Sequence, residues 1–249
     1  MTLGRAGLRD LRQQGSAKAM LPRCDAPDPE VVFLNTAGGV TSGDRLDYGL
    51  TLGPGARATG ATQTAERAYR AASPTPGVVT TQITLGTGAH LDWLPQDLIA
   101  FDGCHIRRQT EVDLAPDATL LMVDSLILGR AAHGEVVAHG RIDDIRTIRR
   151  GGRLLHQEHV ALTPEALTAP EALEDHRAFA TLVHVAPRAA DMVTPLRAAL
   201  GAEGHVSALP GRIVARLAAP QAAPLRRALI RAILTLRQDP LPRVWQSDA

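Results

Sequence analysis

The sequence predicts a mainly β fold, a layered or β-helix-like stack of strands with a few helices toward the C-terminus. Alternating polarity is the first sign: in residues 78–85 (VVTTQITL), Val79, Ile83 and Leu85 share one face of a strand. The second sign is a strand-turn-strand motif that occurs three times. The third is a change to helical spacing in the last third of the chain.

The repeated motif predicts that successive strands stack as rungs. LTLGPGA ends at Ala56, ITLGTGA at Ala89 and VDLAPDA at Ala118, so the copies lie 33 and 29 residues apart. Each copy is a strand, a turn with Gly, Pro or Asp, and a second strand. Any β protein carries such turns by chance, but the spacing favours rungs that bury one another's apolar faces.

Two further patterns extend the β region. Residues 106–114 alternate, with Ile106, Val112 and Leu114 on one face and polar residues on the other. The sequence RGGR at 150–153 separates two such runs and predicts a tight hairpin.

The C-terminal region has helical spacing at 190–200 and 222–237. An apolar stripe marks the second segment, formed by Leu225, Leu229, Ala232 and Leu236. We expect this helix to dock onto the β region rather than to stand free for a partner. Because no low-complexity linker is present, we expect one domain over 1–249, β-rich over 30–163 and mixed helix and strand over 164–249.

Composition argues against several classes of partner. The chain has 27 basic and 26 acidic residues, and 3% of its residues are aromatic, so neither nucleic acid nor a membrane is an expected partner. Cys24 and Cys104 form no CxxC motif, and the N-terminal residues show no apolar signal segment. We therefore expect a reduced, cytoplasmic protein.

The glycine-rich sequence NTAGGVTSGDR at 35–45 looks like a phosphate-binding loop but lacks its chemistry. After the G-x-x-x-x-G spacing that starts at Gly38, Asp44 stands where a P-loop has lysine, and its carboxylate would repel a phosphate. We expect the glycines of this loop to hold tight-turn positions with positive φ. We expect no permanently bound nucleotide or other cofactor.

Other catalytic and metal motifs are also missing from the sequence. It contains neither G-x-S-x-G nor H-E-x-x-H. His156 and His159 would point to opposite faces of a strand, and Cys104 and His105 are adjacent, so their side chains diverge. Cys104 is expected to be a small core residue. These patterns favour a protein that works by binding and is not an enzyme.

Acidic residues in apolar surroundings are the strongest remaining signal. Asp124 lies in LLMVDSLIL, Glu66 in ATQTAERAY and Glu158 in LLHQEHVAL. Burying an unpaired carboxylate costs on the order of several kcal/mol. Two interpretations stay open: an ion pair, for instance with Arg67 or Arg130, or a polar path or site in the interior.

Five segments occur in a family-like order: FLNTAGGVTSGDRL, TQTAERAYR, LDWLPQDLIAFDG, LILGRAAHGE and LPRVW. Together they resemble the urease accessory protein UreD (UreH) family, from about Val31 to Trp245. The signature loop of this resemblance comprises Asn35, Thr36, Gly38, Gly39, Gly43 and Asp44.

The resemblance implies a non-enzymatic, β-helix-like maturation chaperone or scaffold that is required for nickel insertion into urease. UreD-like proteins bind the helical protein UreF, through it the GTPase UreG, and also the urease apoprotein. GTP hydrolysis then belongs to UreG, which agrees with the missing P-loop lysine in this chain.

The resemblance also gives the acidic residues a role. Nickel in transit needs ligands that release it, and carboxylates suit this better than thiolates, which two cysteines could hardly supply. We predict that some of four acidic residues face a water-filled interior that nickel passes through. These residues are Asp44, Glu66, Asp124 and Glu158.

Two features depart from the family pattern. UreD-like chains usually carry more strand sequence before the NTAGG loop, which predicts that an initial hairpin is absent here. His133 stands where the family more often has an apolar residue, which argues against it as a family metal ligand.

The alternative function is a β-helical or β-sandwich carbohydrate-active enzyme that uses paired carboxylates. Sugar sites are typically lined by Trp and Tyr, and this chain has two of each. An interaction module without a metal role is a third interpretation.

Overall fold

The computed structural model describes residues 1–24, 26–169 and 173–246. Strands dominate this part of the chain and the helices lie toward the C-terminus, which confirms the predicted fold class. Successive strands stack in coils, as in a β-solenoid.

In the described part of the chain, fourteen strands precede the first α-helix, and three more strands lie between the α-helices. The strands are β1 Thr2–Gly4, β2 Gly7–Asp10, β3 Ala17–Met20, β4 Glu30–Asn35, β5 Arg45–Leu52, β6 Arg57–Thr62, β7 Glu66–Ala68, β8 Gly77–Leu85, β9 His90–Trp93, β10 Leu98–Ala100, β11 His105–Leu114, β12 Thr119–Leu128, β13 Arg141–Arg150, β14 Arg153–Leu162, β15 Ala178–Val185, β16 Gly204–Leu209 and β17 Arg212–Ala219. The α-helices are α1 Pro164–Thr168, α2 Val193–Leu200 and α3 Ala222–Leu236.

Two sheets face each other. The first has the strand order β14-β13-β11-β8-β5-β1-β2, and the second has the order β16-β17-β15-β12-β9-β6-β4-β3. The central ladders, β5-β8-β11-β13 and β4-β6-β9-β12, are parallel. A short third face forms where β7 and β10 pair with each other and β10 pairs with the end of β12.

The register of the rungs confirms the predicted repeat. Leu52 pairs with Leu85 and Leu85 pairs with Leu114, so equivalent residues of the three motif copies lie side by side. The alanine that ends each copy is buried, and the residue after it starts the pairing in the second sheet. Each copy thus crosses from one sheet to the other.

The interior between the sheets is not uniformly apolar. Along β11, Ile106 belongs to one apolar cluster, whereas Val112 and Leu114 belong to another. Ile142 and Ile148 of β13 divide in the same way. The inward positions between the two clusters carry polar and charged side chains, and these define the candidate site.

α2 and α3 cover the outer face of the second sheet. Leu225 and Leu229 of α3 are buried in one apolar cluster with Leu121 and Leu182 of that sheet, which confirms the predicted docking. Of the two predicted helices, the first, α2, begins at Val193, later than predicted, because the chain first makes a 3-10 turn. The second matches its prediction to within one residue.

Both predictions about hairpins are decided by the strand pairs. RGGR joins β13 to β14, with φ of +56° at Gly151 and +74° at Gly152, which confirms the tight turn. The predicted absence of an initial hairpin is wrong, because β1 and β2 pair antiparallel and β1 continues the first sheet beside β5.

Candidate functional site

The candidate site is a layer of charged side chains between the two sheets. It is formed by Arg108 of β11, Asp124 of β12, Asp144 and Arg146 of β13, Glu158 of β14 and Arg216 of β17. Strand alternation turns the β13 pair inward with the apolar residues on either side of it. Asp124, Asp144 and Arg146 are only 3%, 1% and 4% exposed.

Arg108 links carboxylates from both sheets. Its Nε donates to Asp144 Oδ1 at 3.0 Å and its Nη2 donates to Asp144 Oδ2 at 2.6 Å, so this pair is bidentate. Its Nη1 lies 3.4 Å from Asp124 Oδ1 on the facing sheet.

Arg146 lies among three carboxylates. Its Nη1 donates to Glu158 Oε2 at 2.5 Å, and its Nη2 donates to Asp144 Oδ2. Its Nε is 3.3 Å from Asp124 Oδ2. The second oxygen of Glu158 accepts from Arg216 Nε at 2.8 Å. The layer therefore holds three acidic and three basic side chains and is balanced in charge.

The two buried aspartates differ in pKa. Burial works to raise the pKa of Asp144, but attraction and hydrogen bonds from Arg108 and Arg146 outweigh it and hold that pKa at about 2. Burial dominates at Asp124 and raises its pKa, although the same two arginines oppose the shift. The difference follows from geometry, because within the described residues Asp124 Oδ2 receives no hydrogen bond.

Two cavities border the charged layer. The larger, of about 500 Å³, is lined by the three carboxylates and by Arg146. The smaller, of about 70 Å³, lies toward the signature loop and is lined by Asn35, Glu66 and Arg108 among others. Asp124 borders both cavities.

Asp124 and Glu158, two of the predicted acidic residues, meet through Arg146. The carboxylates are ion-paired and also line a cavity, so the pairing does not decide between the two interpretations of the acidic residues. Neither example of a partner lies in this layer: Arg67 attracts Glu66, which lines the smaller cavity, whereas Arg130 pairs with Glu135.

The other two predicted residues, Glu66 and Asp44, do not belong to the charged layer and do not lie together. Glu66 lines the smaller cavity, and burial raises its pKa even though Asn35 Nδ2 donates to Glu66 Oε1 at 3.2 Å. Asp44 is exposed, and its Oδ2 accepts from Thr41 N at 2.9 Å. Asp44 therefore closes the loop turn and does not line the interior.

Sequence reasoning missed the partners of the carboxylates. Alternation places Arg108 on the face of Ile106, and it places Asp144 and Arg146 on the face of Ile142. That signal is present in the sequence, but a charged residue within a charged run carries no local sign that it is buried.

The signature loop is a structural turn. Gly38 and Gly43 have φ of +80° and +77°, as predicted, and the loop leads into strand β5, whereas a P-loop leads into a helix. The prediction of positive φ is wrong at Gly39. A Cβ there would collide with the Tyr69 ring and lie 2.8 Å from the carbonyl oxygen of Arg67, so this position requires close approach.

The remaining candidates are placed as predicted. His156 is buried, whereas His159 is exposed and lies 3.1 Å from Asp143, so the two histidines face opposite sides of β14. Cys104 is buried, and burial raises its pKa to about 12. Among the described residues, no three His, Cys, Asp or Glu side chains are arranged to hold a metal ion.

Comparison with known proteins decides the family. A family model described as UreD urease accessory protein matches residues 2–246. This chain belongs to the UreD family. The urease accessory protein UreD of Paracoccus denitrificans (strain Pd 1222) is 50% identical over 250 residues, which cover 98% of this chain and 89% of the relative. The UreD protein of Dinoroseobacter shibae is 51% identical, covering 98% and 87%.

A UreD-family protein is an accessory protein of urease, and the match confirms the resemblance carried by the five sequence segments. A third relative, UreD of Jannaschia sp. (strain CCS1), is 49% identical over 96% of this chain. In the part of the UreD-family chain that the structure describes, no helix is long and apolar enough to cross a membrane.

Proposed function

We propose that this UreD-family protein is a single-domain, cytoplasmic scaffold for nickel insertion into the urease apoprotein. It acts with a UreF-like protein and, through it, with a UreG-like GTPase. The family match supports the accessory role. The signature loop supports the division of labour, because it joins two strands and has no lysine for a phosphate.

The nickel role rests on one observation, the charged layer between two cavities. Asp124 borders both, so an ion that moves from one cavity to the other passes its carboxylate. Carboxylate oxygens hold a borderline cation less tightly than thiolates do, which suits an ion in transit. Nickel is then a passing substrate that meets Glu66, Asp124 and Glu158 and has no resident site.

The carbohydrate-active alternative is less well supported by the site. A glycosidase needs a carboxylic acid with a raised pKa beside an ionised partner. Asp124 and Asp144 differ in pKa in this sense, but both carboxylates are ion-paired with Arg108 and Arg146. At Glu158, burial is outweighed by Arg146 and Arg216, and the pKa is lowered. Among the described residues that line the larger cavity, Phe179 is the single Phe, Tyr or Trp side chain.

The test is co-expression with the UreF-like, UreG-like and urease proteins, followed by co-purification and measurement of urease activity and nickel content. Asp124→Asn and Glu158→Gln should keep the fold and the complex but give urease with less nickel. Asp143→Asn is the matched control, because Asp143 faces the outer side of β13 and contacts His159. Full nickel loading by folded, complex-forming Asp124→Asn and Glu158→Gln proteins would exclude the route.

The scaffold role also predicts that the purified protein hydrolyses neither GTP nor ATP, because Asp44 occupies the position of the P-loop lysine. Nucleotide turnover that follows the protein through purification and disappears in Gly43→Val would contradict this.

A further inference from the structure

The two sheets end unevenly at the C-terminal end of the stack. Beyond β11 the first sheet continues with β13 and β14, whereas beyond β12 the second sheet continues with β15, β17 and β16. Glu158 of β14 binds Arg216 of β17 across the interior, so β14 faces β17. Among the described strands of the first sheet, none therefore stands opposite β16. The first sheet is one strand short at this end.

The burial of β16 agrees with this gap. Val206 faces α2, belongs to the apolar cluster under the helices and is 4% exposed. The alternate residues His205, Ser207 and Leu209 point the other way, toward the interior, and all three are exposed. The inward face of β16 is therefore uncovered.

β14 is an open edge strand. It has ten residues and pairs with β13, and among the described residues no strand pairs with its other side. Proteins usually blunt such an edge by making it short or by placing lysine or proline in it. At the opposite end of the same sheet, β2 has four residues, including the charged Arg9 and Asp10, whereas β14 contains neither lysine nor proline. The free edge of β14 can therefore pair with one more strand.

The larger cavity occupies the space that such a strand would cover. Val160 and Leu162 of β14 form one wall, and Gly204 and His205 of β16 form another. Val160 and Leu162 point inward, are apolar and are only half-buried. Inward side chains of an added strand would fill this space and complete the burial of both walls.

Positive charge gathers at the same open end. Arg212 and Arg216 lie on the inward face of β17, and the side chain of Arg216 is 60% exposed. Burial lowers the pKa of His156 of β14, and the charges of Arg212 and Arg216 lower it further. Within the described residues, Arg212 Nε and His156 Nε2 are buried without a hydrogen-bond partner.

The nearby carboxylates do not offset this charge, because each is already paired. Glu158 binds both Arg146 and Arg216, and Glu203 binds Arg231. An acidic side chain that points inward from an added strand would give Arg212 Nε an acceptor and Arg216 a second partner. The charge of the open end therefore favours an acidic segment.

We propose that a partner protein docks at this open end by adding an extended segment to the free edge of β14, opposite β16. The segment alternates apolar and polar residues and carries an acidic residue at one inward position. Backbone hydrogen bonds to β14 supply the affinity, and the cavity and the two arginines of β17 select the inward side chains. This site goes beyond the proposed function, because it takes a protein segment and needs no nickel.

The first test measures the binding of short peptides to the purified chain alone. The probe is a pool of capped peptides of about eight residues, in which Val, Ile, Leu or Phe alternates with Thr and one apolar position is replaced by Glu. A matched pool carries Lys in place of Glu. The Glu pool should bind with an apparent Kd at least about tenfold lower than that of the Lys pool, measured by calorimetry.

Substitutions then locate the bound peptide. Val160→Glu and Ser207→Glu each place a carboxylate of the chain itself where that of the segment would go, so each should raise the apparent Kd at least about tenfold. Ala161→Glu is the matched control, because Ala161 is exposed on the outer face of β14 and should leave binding unchanged. Ser207 is exposed, so Ser207→Glu should fold even if Val160→Glu does not.

Amide hydrogen exchange identifies the partner, whose choice rests on the proposed function. The UreF-like protein and the urease apoprotein are each added to the chain. The one that supplies the segment should slow exchange in β14, and Ser207→Glu should weaken its binding at least about tenfold.

No binding of the Glu pool, equal binding of the two pools, or binding that Val160→Glu and Ser207→Glu leave unchanged would overturn the proposal. A concentration-dependent dimer that Ser207→Glu abolishes would assign the gap to a second copy of the chain and reject a partner. Peptide binding as expected, with no complex formed by either protein, would keep the docking site and contradict the proposed function instead.

Discussion

β11 and β13 carry two kinds of interior side by side. Val112 and Leu114 pack with Ile148 in an apolar cluster, whereas earlier on the same strands Arg108 binds Asp144. The backbone pairing between the strands is continuous through both layers, and both are buried between the same two sheets. The two layers therefore differ in their side chains and not in their backbone architecture.

This difference separates the side chains that stabilise the fold from those that the fold positions for binding. Full burial of an apolar side chain of this size stabilises the protein by roughly 1.5–3 kcal/mol. A buried group of ion pairs gains about as much from attraction as it loses by desolvation, and apolar replacement is often neutral or stabilising. The apolar layer thus explains the stability of the stack, and the charged layer is better explained by a role in binding.

The largest effect should come from removing one charge of the charged layer. Asp144→Leu leaves Arg108 and Arg146 buried without the carboxylate that both of them bind. We expect the free energy of unfolding to fall by about 3–5 kcal/mol, measured by urea denaturation. A loss below about 1 kcal/mol would show that solvent reaches the arginines and that the layer is not an interior one.

Replacing the four central charged residues together tests whether the charged layer is needed for stability. The combined variant carries Arg108→Met, Asp124→Leu, Asp144→Leu and Arg146→Met. It should match the wild type in stability to within about 1 kcal/mol, or exceed it, yet fail to support urease activation. A combined variant as unstable as Asp144→Leu would mean that the charges themselves hold the sheets together.

In the apolar layer, truncating one side chain should lower the free energy of unfolding by almost as much as Asp144→Leu does. Leu85 is 1% exposed and stands between Leu52 and Leu114 in the ladder. Leu85→Ala should lower the free energy of unfolding by about 2–4 kcal/mol, through lost burial and the cavity left behind. Thr84→Ala, on the exposed face of the same strand, is the control and should change stability by less than about 0.5 kcal/mol. Equal effects of the two variants would mean that this rung does not form.

Much of the stack was predictable because its local rules are strict. Alternation in VVTTQITL fixed which side of β8 faces inward, and the three motif copies could stack with equal residues side by side. Local rules were weaker where the chain makes short, irregular connections. The 3-10 turn before α2 and the hairpin of β1 and β2 carry no strong periodic signal.

Two of the six side chains of the site, Asp124 and Glu158, were predictable from the sequence, and three of the four that were missed are cationic. Carboxylates stood out because they interrupt apolar runs, whereas Arg108 and Arg146 lie in charged runs that resemble a solvent-facing strand. Their burial depends on the pairing of β11 with β13 and on β12 facing them from the other sheet. Arg108 and Asp144 are 36 residues apart, and no local pattern encodes that contact.

Lowering the pH should weaken the charged layer and not the apolar layer, and the loss of stability should be smaller than that caused by the substitutions above. The pKa of Asp144 is held at about 2 in the folded protein, below the ordinary value of about 3.9. Because the folded-state pKa is lowered, the stability that Asp144 contributes is present above about pH 4 and is lost as the pH falls toward 2. The size of that loss is about 2 kcal/mol. Asp124, whose pKa is raised, acts in the opposite direction, since burial favours its neutral form.

The measurement is urea unfolding at pH 6 and at pH 2.5. Between these values the wild type should lose about 2 kcal/mol more stability than Asp144→Asn, which has no proton to gain at this position. Leu85→Ala is the control, because a change in the apolar layer should leave the pH dependence as it is in the wild type. The same loss in Asp144→Asn as in the wild type would place the acid sensitivity at other carboxylates.

The signature loop closes the charged interior from outside. Gly38 borders the smaller cavity, and Asn35 Nδ2 donates both to Gly39 O at 2.9 Å and to Glu66 Oε1 at 3.2 Å. The turn therefore sets the position of a carboxylate on the proposed nickel route. A change in the loop should disturb that position without reaching either buried layer.

The smallest effects are expected for alanine in this loop. At Gly38 and Gly43 no described atom lies within 4 Å of an added Cβ, so Gly38→Ala and Gly43→Ala should cost only the strain of positive φ, about 1–2 kcal/mol each. Gly39→Ala should cost more than either, because its Cβ meets the backbone carbonyl of Arg67, which cannot move without shifting the third face. Thermal unfolding of the three variants gives this ranking. Three melting temperatures equal to that of the wild type would show that the loop is mobile and does not fix the position of Glu66.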